Sequence, residues 1–97
     1  MRREAWLLKQ EPDAYTLQLI GLGDERAVNG FIERHRLSSD VAYFRSNRDG
    51  APWYSVLYGL YPNRDAATTA QATLPAKVGR GVWLRTLGSV QQAIREK

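Results

Sequence analysis

Trp53, Trp83, Trp6 and Phe44, with Gln18 and Arg85, are the side chains of this chain whose chemistry is specific enough to recognise a ligand. An indole face offers a wide apolar surface, while amide and guanidinium groups at its margin supply directed hydrogen bonds. Two kinds of polymer suit that combination. Bases of a single-stranded nucleic acid stack on sheet aromatics, and a pyranose lays its C–H groups on an indole while its hydroxyls and N-acetyl amides seek donors and acceptors. The RNA-binding pattern of a basic residue, Gly, an aromatic, Gly or Ala, and Phe is missing, because the matching stretch reads Gly50-Ala51-Pro52-Trp53-Tyr54-Ser55-Val56.

Catalytic chemistry has little to stand on. Cysteine is absent and His35 is the single histidine, which excludes disulfides, thiol nucleophiles, thiolate metal sites and multi-histidine metal sites. His35 follows Phe31 by one helical turn and reads as a partly packed helix-end residue. Asp13, Asp24 and Glu25 read as capping and solvated carboxylates rather than a glycosidase pair. Gly21-Leu22-Gly23 lacks the third glycine of a dinucleotide fingerprint. The expectation is a protein with no catalytic residues, no metal and no cofactor.

The elements that must position these side chains follow from periodicity. Residues 1–14 form a leader segment with a short helix around Trp6-Leu7-Leu8 and a break at Glu11-Pro12-Asp13; residues 15–97 form the domain proper. Tyr15–Ile20 is a first strand ended by Gly21 and Gly23, and Asp24 caps a helix carrying Ala27, Val28, Phe31 and Ile32. Val41–Arg45 and Trp53–Tyr58 form a hairpin about the Asn47-Arg48-Asp49-Gly50 turn. Asn63 opens a helix with Ala66, Ala67, Ala70 and Leu74, which Pro75 stops. Gly79 and Gly81 frame a loop, Val82–Arg85 is a fourth strand, and Leu87, Val90 and Ile94 mark a C-terminal helix. The order βαββαβ predicts an α+β fold of the split βαβ (RNP or ferredoxin-like) type, a four-stranded antiparallel sheet with helices on one face plus extra terminal helices.

Alternation then sorts the strands. Leu17, Leu19, Tyr54, Val56, Tyr58, Val82 and Leu84 should face the helices. The other face receives Thr16, Gln18, Ile20, Trp53, Ser55, Leu57, Trp83 and Arg85, with Ala42 and Phe44. A contiguous exposed aromatic cluster marks a binding surface. The competing arrangement folds a terminal helix over that face and buries Trp53 and Trp83 as a second small core; Trp6 reads as core in either case.

At 97 residues the chain is one small domain, too short for two. Its net charge of +4 comes from scattered arginines, a mild bias toward anionic partners. The longest nearly unbroken apolar run, Val56–Tyr61, is far shorter than the roughly 20 residues that span a bilayer. Met1–Leu8 does not read as a signal peptide.

Tyr15-Thr16-Leu17-Gln18-Leu19 resembles the opening strand of the SPOR domain, and Trp53–Tyr61 leading through Asn63-Arg64-Asp65-Ala66-Ala67 resembles its third strand and second helix. The stretch Trp6–Tyr15, the Gly50–Tyr54 turn, Leu74-Pro75 and Trp83 are similar to a branch of that family found in cell-division proteins. The resemblance departs where some relatives carry serines in place of Ile20, Gly21 and Leu22. It implies a non-catalytic, monomeric periplasmic domain that binds septal peptidoglycan, preferring glycan strands stripped of stem peptides. Its parent would be an inner-membrane-anchored cell-division protein whose anchor lies elsewhere in that chain, with divisome proteins as further partners and no nucleic acid. The implied glycan contacts are Gln18, Trp53 and Trp83. Arg85 joins them as a hydrogen-bond donor, and Phe44, Ser55, Leu57 and Ile20 as groove-shaping residues. Single-stranded RNA binding and protein interaction through the same face are the alternatives.

Overall fold

Asp49 and Gly50 both take positive φ, 53° and 81°, as a two-residue type I′ hairpin loop requires. The strands they join in this computed structural model are therefore paired from Arg48↔Ala51 up to Val41↔Tyr58: β2 (Val41–Arg48) and β3 (Ala51–Tyr61). The structure describes residues 2–37, 39–75, 78 and 81–96; Gly79, expected to frame a loop, lies outside them. β1 (Tyr15–Leu22) lies between β3 and β4 (Trp83–Thr86), giving an antiparallel sheet in the order β2-β3-β1-β4. This is the split βαβ order read from the sequence.

Helices α2 (Glu25–Arg34) and α3 (Arg64–Ala72) pack on one face. Each starts on a side-chain cap, with Asp24 Oδ1 accepting from the Ala27 N–H at 2.7 Å and Asn63 Oδ1 from the Ala66 N–H at 2.8 Å. Beneath them Leu17, Leu19, Val28, Phe31, Ile32, Val41, Tyr43 and Val56 form the main core.

The terminal helices do not join that layer. α1 (Glu4–Leu8) and α4 (Leu87–Arg95) cross the opposite face and close a second core of Leu7, Ala14, Ala42, Phe44, Leu57, Leu87, Val90 and Ile94. Their docking is specific. The buried Gln91 amide donates to the carbonyls of Leu7 (3.1 Å) and Gln10 (2.8 Å), and the Leu87 and Gly88 N–H groups donate to Ala14 O (2.8 Å) and Pro12 O (2.9 Å). The Gln91 amide nitrogen and the first two N–H groups of α4 thereby find partners that the helix itself does not offer.

The chain start also protects the β2 edge. Arg2 bridges Ala42, and its carbonyl accepts from the Tyr43 N–H at 3.1 Å, so an outward-facing edge amide is occupied. Arg3 holds the strap in place, its guanidinium 4.1 Å from the Tyr43 ring centroid and donating to Glu25 and the Tyr43 hydroxyl, both at 3.0 Å. Burial pushes the Glu4 carboxyl up, but the Arg45 backbone N–H and the Arg3 guanidinium outweigh it and hold the group below its ordinary range.

Candidate ligand-binding face

α1 and α4 bury Ala42, Phe44 and Leu57 on the β2–β3 half of the second face, and beside that half Gln18 and Gly21 on β1 keep partial exposure and form a strip with Trp53, Trp83 and Arg85. Register decides what stands at its two ends.

At one end Gln18 sits opposite Trp83 on β4. The Trp83 side chain is 51% exposed, the most open large apolar group among the described residues. Behind it the Arg85 guanidinium lies 5.3 Å from the Trp83 ring centroid and 5.5 Å from that of Phe44. It donates to Gln18 Oε1 (2.9 Å), to Ser89 Oγ (3.2 Å) and to the Ser89 carbonyl (3.3 Å). Ser89 is itself fixed at the start of α4, its N–H reaching Thr86 Oγ1 at 3.1 Å and its hydroxyl the Thr86 carbonyl at 2.7 Å. Burial lowers the Arg85 pKa from its ordinary value, since a partly desolvated cation is disfavoured.

At the other end stands Trp53, partly buried, with the Arg48 guanidinium 4.6 Å from its ring centroid. Its indole lies on Gly21. A Cβ at that position would come within 2.5 Å of Trp53 Nε1, so the glycine is what lets the ring lie flat on the strand. Gly21→Ala should therefore lift the ring at a cost of about 1 kcal/mol for the displaced rotamer. The expected reading is a shift of the Trp53 indole N–H resonance with those of Trp6 and Trp83 unmoved; an unmoved Trp53 resonance would contradict this packing.

Four of the eight predicted contact residues thus line the strip: Gln18, Trp53, Trp83 and Arg85. The other four do not. Phe44 (1% exposed), Ser55 (3%) and Leu57 (1%) point to the expected face but lie in or beside the second core beneath the terminal helices. Ile20 points the opposite way. A register shift between Gln18 and Ile20 pairs Ile20 with Val56 and Gly21 with Ser55, so Ile20 packs against the main core and Gly21 takes its expected place on the strip. The competing arrangement is realised in part: terminal helices do cover that face, yet they bury Phe44 and Leu57 rather than the tryptophans. Trp6 packs against the second core as expected.

Ser89, Gly21 and Arg48 complete the face without having been expected there; Gly21, expected to end the first strand, lies within β1, which runs on to Leu22. Ser89 had a signal, a hydroxyl residue three positions after Thr86 in the first turn of the C-terminal helix, and a glycine within a β-rich run is the usual mark of a close approach. Among the described residues no group of three or more His, Asp or Glu side chains is placed to hold a metal ion. No helix among them is long and apolar enough to cross a membrane.

The SPOR domain family model matches residues 11–86. Over 83 residues the chain is 34% identical to the cell division protein DamX of Serratia marcescens, an alignment covering 84% of this chain and 38% of that protein. The chain therefore spans less than two thirds of the length of this relative. The family match stops at the last residue of β4, and both α1 and α4 lie outside it.

Proposed function

This chain belongs to the SPOR domain family, and from that membership we propose that it is a non-catalytic peptidoglycan-binding module of a cell-division protein. It recognises glycan strands lacking stem peptides and so brings its parent protein to the division septum, working on the periplasmic side of the inner membrane in which the parent is anchored. The observation that carries this reading is the half-exposed Trp83 ring on an open sheet strip, flanked by the donors of Arg85 and Gln18. A pyranose ring stacks on the indole, and the polar groups beside it take the sugar's hydroxyls and acetamides. The strip is shallow and walled on one side by α4, so a strand bearing peptides on successive sugars meets steric resistance that a bare strand does not.

Sedimentation with purified sacculi tests the proposal. The protein is expected to pellet with sacculi, and to pellet more after amidase digestion removes the stem peptides. No pelleting would refute peptidoglycan binding, and equal pelleting before and after digestion would refute the preference. Binding to single-stranded RNA would instead show a steep loss of affinity with added salt as counterions are released.

A further inference from the structure

We infer that Arg85 reads the carboxylate that peptide removal uncovers on the glycan, so that the module selects bare strands by a charge gained as well as by a bulk lost. The inference rests on the glycan reading above and assigns it a specificity-determining residue. Hydrolysis of the amide that joins a stem peptide to the lactyl group of muramic acid adds water across that bond, releasing the peptide's amine and leaving a carboxylate on the sugar. A stripped strand thus carries one anion at each such sugar.

Arg85 is built to meet one. Of the five N–H donors of a guanidinium, three are committed, all to neutral acceptors: Gln18 Oε1, Ser89 Oγ and the Ser89 carbonyl. One N–H on each terminal nitrogen is unspent among the described residues. All ten Asp and Glu side chains of the chain are described, and Arg85 belongs to none of the ion pairs they form. The cation is also partly desolvated between the Phe44 and Trp83 rings. A cation held this way, oriented but uncompensated, gains more from an anion than a solvated one does, because much of its desolvation cost is already met. Two unspent N–H groups match the two oxygens of a carboxylate. An amide in the same place offers one oxygen and turns an N–H donor toward a donor, leaving one guanidinium hydrogen without a partner. Gln18 and Ser89 are positioning residues here, fixing the guanidinium beside the stacking ring.

The test uses peptide-free glycan strands in two forms: with free lactyl carboxylates, and with those carboxylates converted to methyl amides by carbodiimide coupling, which removes the charge while adding little bulk. The wild-type chain is expected to bind the free-acid strands roughly tenfold or more tightly than the methyl-amide strands, and the Arg85 Nε–H resonance should move only with the former. Arg85→Gln should bind both forms alike, near the weaker level, and Arg85→Lys should recover part of the preference. Equal wild-type affinity for the two forms, with the Trp83 indole resonance shifting in both titrations, would overturn the carboxylate reading and leave glycan binding standing. Binding to neither form would overturn both.

Discussion

Replacing Trp83 with alanine should remove most of the retention on sacculi while leaving the melting temperature within about 4 °C of its starting value. The two halves of that expectation have separate causes. The ring is 51% exposed and contributes to neither core, so its loss falls in the range of surface substitutions, roughly 0.5 kcal/mol. For binding the same exposure works in the opposite sense. A rigid aromatic ring that a ligand covers fully is the usual anchor of an interface, and truncating one costs about 2 kcal/mol or more, roughly a 30-fold loss of affinity. Arg85 also loses one of the two rings that flank it, which returns the guanidinium to water and weakens whatever it holds. Retention equal to wild type would show that the ligand does not lie on this ring. Trp53→Ala should do less, because that indole spends one face on Gly21 and faces Arg48.

The faces of Gln18, Trp53, Trp83 and Arg85 were legible because β3 and β4 keep strict alternation beside them and a period of two carries the face assignment from residue to residue. Ile20 shows where that reasoning stops. One irregularity in the β1–β3 pairing inverts every assignment beyond it and sets Gly21 beneath Trp53, a contact between strands that neither segment announces alone. The misjudged openness of Phe44, Ser55 and Leu57 has a different origin. Their direction followed from alternation, and the amphipathic stripe Leu87, Val90 and Ile94 was visible, but docking one on the other depends on contacts such as Gln91 to Leu7, 84 positions apart. A signal existed nonetheless. A sheet face carrying Ala42, Phe44 and Leu57 is too apolar to stand in water, and a C-terminal helix with an unpartnered apolar stripe needs a surface to cover. Matching these two unmet requirements leads to the second core.

Phe44→Ala should be the most damaging single truncation on this face, lowering stability by about 3–5 kcal/mol. Phe44 is 1% exposed and the largest fully buried side chain among the described residues. It packs in the core that α1, α4 and the sheet share. A domain of this size has roughly 5–15 kcal/mol in total, so the variant should melt at least about 12 °C below wild type, with Phe44→Leu recovering much of the loss by refilling the volume. Thermal and urea unfolding followed by both near- and far-ultraviolet circular dichroism would check this. If the terminal helices are integral, the transition stays single and shifts as a whole, since the sheet cannot keep Leu57 and Ala42 dry without them. A loss under about 1 kcal/mol, or a separate early transition, would instead mean that α1 and α4 rest loosely on a sheet that folds alone. The consequence reaches the binding strip, because Arg85 is held from α4 through Ser89 and backed by Phe44. Under conditions where Phe44→Ala remains folded, its affinity for peptide-free strands should still fall, with Trp83 itself untouched.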